Sequence, residues 1–398
     1  MSDESILVIN TGSSSLKFGL YTEKDGDEQL LLDGLADGIG RAAGKIELKD
    51  AHGSVLRSES LGSASEGDAL DRGAAWFTEL SQGKPCAIGH RVVHGGPRLV
   101  THQRITPEVI KELEACIHFA PLHIPLALEV IEKAEHAYPQ VPQFACFDTA
   151  FHTTIPEAAA RFALPRNLYE GGIRRYGFHG LSYESIVRQL GADLPSRTVI
   201  AHLGNGASLA AVKDGRSVDT TMGLTPTGGI PMATRSGDLD PGVLLFLLRV
   251  KNLNADSLED LLNHDSGLKA LSGGKSDMRD LEAAEDRGDQ EAQLAIEVFC
   301  ASIRKVVAAC AAVLGGVDLL VFAGGIGEHS ARVRGSVCGG LNFLGLSIED
   351  AANQSHRGTI SSSSSKVLVR IVESQEDKQI ARHCRAMMRK NGSDKNAK

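Results

Sequence analysis

Short apolar runs alternate along this chain with longer segments whose apolar residues recur every three or four positions, the pattern of an α/β protein. Residues 6–9, 17–21 and 30–35 read as the opening strands of a meander. Beyond a polar stretch, residues 69–80 predict a helix and 86–93 a buried strand ending at Gly95-Gly96. Thr106 followed by Pro107 starts a helix over 107–116, because the hydroxyl caps the first turn and a missing N–H costs nothing there. Residues 143–147 form the next strand. Asp148 stands just past its end, where functional groups gather in such sheets.

In the second half, residues 198–203 and 208–212 predict a hairpin around Gly204-Asn205-Gly206, and Asp214-Gly215 signals a tight turn after it. Ala295, Phe299, Ile303, Val307, Cys310 and Leu314 stripe one face of a helix over 293–314, which Gly315-Gly316 terminates. A strand over 317–323 runs into Gly324-Gly325-Ile326-Gly327. The last helix begins near Glu376, carries Ile380, Cys384 and Met387 on one face, and is expected to pack back on the first domain. Residues 361–365 read as a loop and 391–398 as a frayed tail. A length of 398 residues exceeds what one hydrophobic core serves, so two domains are expected, 1–150 and 151–375.

Composition narrows the function. With 42% hydrophobic and 23% charged residues and 43 glycines, the chain reads as a globular protein rich in tight turns. No apolar run approaches the roughly 20 residues needed to cross a bilayer, and MSDES is unlike a signal peptide, so a cytoplasmic protein with no membrane partner is expected. Seven cysteines without a C-x-x-C pair read as reduced core thiols. A net charge of -8, with no basic stripe interleaved with aromatics, disfavours nucleic acid. An anionic small molecule would need local arginines, and the chain supplies them.

The most informative segment is 201–242. It sets Asn205, Gly206 and Arg235 in a glycine-rich and threonine-rich loop suited to closing around phosphate. The N-terminal VINTGSSSLKF repeats the design of strand, small-residue turn and strand, and places Asn10, Ser13, Ser15 and Lys17 around one turn. Backbone N–H groups and hydroxyls there form an anion nest, although an ordinary serine-rich hairpin fits the early segment alone equally well. Two related half-sites suggest a nucleotide held between two related domains. In GHRVVHGG, Arg91 suits an anion clamp, because its planar fork matches carboxylate or phosphate. His90 and His94 invite a metal reading, but a strand does not set up the helical pair of a zinc protease. Asp148 in FDTAFH fits either a turn cap or a carboxylate that orders an attacking group or holds magnesium through water. GGKS at 273–276 is not a P-loop, since Lys269 stands where glycine is required. GGIGEHS misses the dinucleotide fingerprint at Ser330. No serine-hydrolase elbow or cysteine nucleophile context appears.

Together, INTGSSSLKF, GHRVVHGG, APLH, FDTAFH, RRYGFHG, HLGNG, the run from TPTGG to RSGDLDPG, SDMRD and GGIGE, in this order over nearly the whole chain, resemble the acetate kinase family. The resemblance implies an α/β fold of two actin-like (ribonuclease H-like) domains, with mixed sheets flanked by helices and a nucleotide cleft between them. It implies Mg2+-dependent, reversible phosphoryl transfer between ATP and acetate, giving ADP and acetyl phosphate, with Mn2+ as a substitute metal and a homodimer formed through the second domain. By motif position, Arg91, Asp148, His179 and Arg235 would be catalytic. Val93, Leu122, Phe178 and Pro231 would line the acetate methyl pocket. Asn10, Ser13, Ser15, Lys17, His179, His202, Asn205 and Gly206 would hold the phosphates; Asp277, Met278, Arg279, Gly325 and Ile326 would hold adenosine; and Asn10 and Glu376 would serve the metal.

Three motifs depart from the family pattern: Ile124 stands where asparagine is usual, His329 where asparagine ends GEN, and Glu376-Asp377 in a divergent segment. A propionate or butyrate kinase differs mainly in pocket volume, and Val93 favours the shorter acid. A non-catalytic relative, such as an actin-like filament or a nucleotide-gated chaperone, would carry insertions for which this chain has no spare length. Two arginines directed at the transferred phosphate also favour a kinase.

Overall fold

The computed structural model describes residues 5–11, 15–39, 44–62, 64, 66–80, 84–121, 123–356 and 358–396. They form two compact units, Met1–Ala150 with Gln375–Lys398, and Phe151–Ser374, each built on one mixed sheet.

The first sheet contains β1 (Ile6–Thr11), β2 (Ser15–Lys24), β3 (Asp27–Asp37), β4 (Lys45–Asp50), β5 (Val55–Ser60), β6 (Ala87–Val92), β7 (Gln103–Arg104) and β8 (Gln143–Phe147), ordered β5-β4-β3-β2-β1-β6-β8-β7. Strands β1 to β5 form an antiparallel meander. β6 pairs parallel to β1 and β8 parallel to β6, and each parallel step is bridged by helix: Glu66–Leu80 before β6, Pro107–Ala115 and Ile124–Ala137 before β8. Between residues 35 and 69 the sequence reads only as a polar stretch, yet β4 and β5 form there. Ile46 and Leu48 alternate inward from β4, and that period of two suffices once β3 supplies an edge.

Side-chain alternation sorts this sheet into two covered faces. Leu7, Ile9, Leu16, Phe18, Ile88 and Val130 belong to one core, under the helices Glu66–Leu80 and Ile124–Ala137. The opposite face receives the C-terminal helix Glu376–Asn396, whose Ile380, Ala381 and Cys384 are fully buried. Gly89 on β6 makes that docking possible, because an added Cβ would lie 2.5 Å from Ile380 Cγ2 and 2.6 Å from Cys384 Sγ. The helix continues to Asn396, where the sequence predicts a frayed tail from Asn391; no proline interrupts 391–396.

The second sheet contains β9 (Arg197–Leu203), β10 (Ala207–Lys213), β11 (Arg216–Thr220), β12 (Leu319–Ala323), β13 (Gly358–Thr359) and β14 (Leu368–Ile371), ordered β11-β10-β9-β12-β14-β13. β9, β10 and β11 form an antiparallel meander, β12 pairs parallel to β9, and β14 parallel to β12. Between β10 and β11, Asp214 and Gly215 both adopt positive φ, 49° and 78°, as a two-residue hairpin turn of matching twist demands. The helix Gln290–Leu314 crosses back between β11 and β12. Asp289 caps it through the amides of Glu291 and Ala292, and left-handed Gly315 (φ 73°) ends it.

The two sheets share one plan. In β3-β2-β1-β6-β8 and β11-β10-β9-β12-β14, an antiparallel meander presents its first strand to two further strands running parallel with it. The carboxyl ends of β1, β6 and β8 therefore lie together in the first unit, and those of β9, β12 and β14 in the second.

Candidate active site

In the first unit, Asn10, Arg91 and Asp148 occupy the carboxyl ends of β1, β6 and β8 in turn. The Asp148 amide donates to the Val92 carbonyl (3.0 Å), which extends the ladder one residue and fixes the carboxylate beside β6. Alternation places Arg91 on the same face as Gly89, under the start of the C-terminal helix. Its Nε donates to Asp148 Oδ1 and Oδ2 at 3.1 Å each, and its Nη2 to Oδ2 at 2.6 Å, a planar fork on a nearly inaccessible carboxylate. Nη1 is turned the other way, donating to Asn10 Oδ1 (3.1 Å) with Glu376 Oε2 at 3.8 Å. Asn10 Nδ2 donates in turn to Asp377 Oδ1 (2.7 Å). Burial opposes the guanidinium charge, but Asp148, Glu376 and Asp377 outweigh it and hold the Arg91 pKa well above its ordinary value.

Lys17 faces Asn10 directly across the β1–β2 ladder and is exposed, so both lie on the Arg91 face. Ser15 opens β2, half-buried, and Val93 is buried just past β6. Ser13 and Leu122 lie outside the described residues. Asn10, Glu376, Asp377 and Asp148 together offer only oxygen donors, a set that fits a hard divalent cation such as Mg2+ rather than a softer metal. Both Asp148 oxygens are engaged by Arg91. Glu376 makes only the longer contact among the described residues and is the carboxylate least committed to protein partners.

In the second unit, His179 caps the helix Gly180–Leu190 in the left-handed region (φ 57°, ψ 24°), an uncommon and costly conformation for a residue with a side chain. The turn is held from several sides. His152 Nε2 lies 2.9 Å from the Phe178 carbonyl and its Nδ1 2.8 Å from Ser217 Oγ. A Cβ on Gly177 would meet the His152 ring at 2.5 Å. Phe178 is buried in this turn. His179 Nδ1 sits 2.7 Å from Ser208 Oγ, itself 2.5 Å from the Tyr183 hydroxyl, and the ring stacks on His202 at 4.3 Å. His202 is the penultimate residue of β9 and is held 2.8 Å from Ser182 Oγ.

The β9–β10 turn meets the long loop at this end of the sheet. A Cβ on Gly206 would lie 3.2 Å from His179 Nε2 and 3.6 Å from Arg235 Nη1, so the structure brings Gly206, His179 and Arg235 together. The Ala233 amide donates to the Asn205 carbonyl (3.2 Å), and Arg235 Nη1 to the Pro226 carbonyl (3.1 Å). Pro231 is half-buried in the same loop. Gly267 passes so near this loop that a Cβ would stand 2.1 Å from the Met232 carbonyl and 2.6 Å from that of Arg235. Its positive φ of 61° adds a second reason for glycine. The sequence reading missed Gly267, Ser208 and Tyr183, because their roles come from long-range approach; a lone inward serine in the apolar β10 was the available signal.

Gly324 follows β12 with φ 75°, packed where a Cβ would strike the Leu203 carbonyl at 2.8 Å, while Gly325 faces open space. The Gly324 amide donates to Glu328 Oε1 (2.8 Å), which also accepts from the Ser374 amide (3.1 Å). Burial raises the Glu328 pKa against these bonds. Arg334, fully buried, donates to the Gly327 and Glu328 carbonyls and to Asn353, tying down the short helix Gly324–His329 that contains Ile326; burial lowers its pKa to about 10. Asp277 caps the helix Met278–Glu285 and forms a fork with exposed Arg279, while Met278 is buried. Ser330 Oγ donates to Glu282 Oε1 (2.5 Å), linking this helix to the glycine turn. Thus Asp277 to Arg279 and Gly325-Ile326 stand on two elements joined by a direct bond.

The departures from the family pattern find simple places. Ile124 begins the helix Ile124–Ala137 and is fully buried, and His329 ends its short helix 6.5 Å from the His356 ring. His90 and His94 do not share a metal site: His90 Nε2 bonds Gln143 Oε1 (2.6 Å), and His94 Nδ1 accepts from the Gly96 amide (2.8 Å). No helix among the described residues is long and apolar enough to cross a membrane.

Two like sheets with their polar groups gathered at equivalent strand ends define an actin-like α/β protein. A model of the acetokinase family matches residues 5–382, and the chain belongs to that family. Acetate kinases of Methylocella silvestris and Treponema denticola are 44% and 41% identical to it, covering 96% of this chain and 98% and 100% of theirs. Among solved structures, it is similar to a propionate kinase from Francisella tularensis (35% identity, TM-score 0.91, 96% of this chain and 100% of the other). It is also similar to Porphyromonas gingivalis acetate kinase (37%, 0.85, 97% and 100%).

Burial lowers the pKa of both His90 and His152 to about 4, so each is neutral when folded at pH 7. Unfolding returns them to about 6.5, so between these values the unfolded chain binds more protons and stability falls as pH falls. Denaturation at pH 7 and pH 5 should differ by on the order of 2 kcal/mol for each histidine. Replacing His152 with glutamine should shrink the difference; an unchanged pH dependence would show that His152 does not contribute to it.

Proposed function

We propose that the protein is an acetate kinase that transfers the γ-phosphoryl group of ATP reversibly to acetate, with Mg2+ as the metal and Mn2+ able to replace it. The observation that carries this reading is Arg91, whose Nε and Nη2 are held by Asp148 while Nη1 is aimed elsewhere. A carboxylate oxygen of acetate attacks the γ-phosphorus as the bond to the ADP oxygen breaks. Acetate is already ionised at neutral pH, so no strong general base is needed. The transition state spreads negative charge over three equatorial oxygens, and prearranged donors supply most of the catalysis. Arg91, Arg235 and His179 serve as those donors, and Asp148 orients Arg91. Asn10, Ser13, Ser15, Lys17, His202, Asn205 and Gly206 bind the phosphates, while Asp277, Met278, Arg279, Gly325 and Ile326 bind adenosine. Asn10 and Glu376 hold the cation, which when bound neutralises phosphate charge and orients the triphosphate. Val93, Leu122, Phe178 and Pro231 enclose the methyl group.

A propionate kinase is the second reading, favoured by the similarity to the Francisella tularensis enzyme. Buried Val93 supports the shorter acid, with discrimination of about 1 to 3 kcal/mol per methylene.

The homodimer is assigned to the second unit. The helix Pro241–Arg249 buries none of its residues, and Leu239, Val243, Leu245, Phe246, Leu248 and Val250 are exposed around it. A helix apolar on all sides requires cover, and an isologous partner presents the same surface in return.

Trapping acyl phosphate as hydroxamate from ATP, Mg2+ and a panel of short carboxylic acids should give the highest kcat/KM with acetate. Equal values for propionate would reject the assignment of the acid. Arg91→Ala and Arg235→Ala should each lower kcat by about 100-fold or more with far-UV circular dichroism intact; near-normal turnover in either would remove that arginine from the mechanism. Phe246→Asp should convert a sedimenting dimer to monomer at micromolar concentration, and an unchanged sedimentation coefficient would place the interface elsewhere.

A further inference from the structure

The C-terminal helix reaches the first sheet only after the whole second unit has intervened, yet its first two residues contact the groups at the strand ends. Glu376 stands 3.8 Å from Arg91 Nη1, and Asp377 accepts from Asn10. Near the helix start, Lys378 donates to Asp27 Oδ2 (2.6 Å), a contact between a flexible ammonium and a half-exposed carboxylate that constrains distance more than direction. The apolar contact of Ile380 and Cys384 with Gly89 sets how closely it approaches, but apolar packing tolerates sliding and rotation. Nine residues beyond Glu376, about 13 Å along the helix, is a contact that does not. Arg385 Nε donates to Glu28 Oε1 (2.5 Å) and Nη2 to Glu28 Oε2 (2.9 Å), and both side chains are more than nine-tenths buried. A bidentate guanidinium–carboxylate fork constrains direction as well as distance. On the outer side, Asp27 accepts from Lys378 and Arg382, and Glu23 from Arg389.

We propose that Glu28 and Arg385 are positioning residues: their fork sets the register of the C-terminal helix and thereby places Glu376 and Asp377 for the divalent cation. This rests on the assignment of Glu376 to the cation site. Stability alone is a weak reason for such a pair, because two apolar side chains of similar volume serve a buried position as well or better. What apolar side chains lack is the fixed direction.

The test follows from that difference. The double variant Glu28→Met with Arg385→Met keeps the volume and removes the fork, and Arg385→Lys keeps the charge and loses the planar geometry. Both are compared with Glu376→Gln by the binding of Mn2+ to enzyme with saturating ADP, read without turnover from the electron paramagnetic resonance of free Mn2+. Thermal unfolding and the KM for acetate are measured alongside. The expected result is an Mn2+ Kd raised about tenfold in both variants, as for other residues that orient a metal ligand, with the acetate KM unchanged. Wild-type Mn2+ affinity in the folded double variant, with weakened binding in Glu376→Gln, overturns the lock while leaving the cation assignment intact. Unchanged affinity in Glu376→Gln removes the cation assignment and the lock with it. If the double variant does not fold, Arg385→Lys decides by the same criteria.

Discussion

A guanidinium ion buried at the end of a parallel strand is the constraint around which the first unit is organised. Arg91 carries a charge whose removal from water is costly, and Asp148 compensates it with both carboxylate oxygens. Because Nε and Nη2 are committed to that carboxylate, the direction of Nη1 is fixed as well. A carboxylate so engaged is poorly suited to accept a proton in a reaction, but well suited to hold a cationic donor still while charge develops on a phosphoryl group. Removing Asp148 would disturb both the charge balance and the aim of Arg91. A large loss of activity on its substitution therefore requires no general-base role.

Duplication of the sheet plan explains why polar groups appear where they do. Asn10 is the penultimate residue of β1 and His202 the penultimate residue of β9, the first strands of equivalent meanders. Both stand where backbone ladders end and amide groups become available. The following strands have diverged. In the first unit, β6 and β8 deliver Arg91 and Asp148, a charged pair. In the second, β12 ends in Gly324-Gly325, which lets backbone approach without side chains, and Glu328 satisfies the amide of Gly324. One architecture thus yields a cluster of paired charges in one unit and a backbone-lined turn in the other.

Much of this was legible in the sequence, since strands ending in Asn10, Arg91, Asp148 and Gly324 announce themselves through apolar runs interrupted by polar or small residues. The Asp214-Gly215 hairpin and the capped helix before Gly315 are equally local signals. What was not legible depends on partners distant in the chain. β4 forms because β3 offers an edge. The tightness at Gly267 exists only against the carbonyls of Met232 and Arg235. Ser208 is a polar residue in an apolar strand until Tyr183 and His179 arrive beside it. The His90–Gln143 contact likewise joins residues 53 apart, and it turns a suggestive histidine spacing into an ordinary buried hydrogen bond.

The same distinction between local and distant information governs the C-terminal helix. Its apolar face is visible as a helical period, and that period suffices to predict packing against a sheet. It does not determine the position along the sheet, because Ile380 and Cys384 would find apolar contact over a range of offsets. The charged fork between Arg385 and Glu28, separated by 357 residues in the chain, together with the bonds of Lys378 and Arg382 to Asp27, selects one offset from that range. The acidic residues at the start of the helix then arrive at Arg91 and Asn10 by geometry. A divergent segment can therefore keep its place if the contacts that fix its register lie elsewhere in the helix.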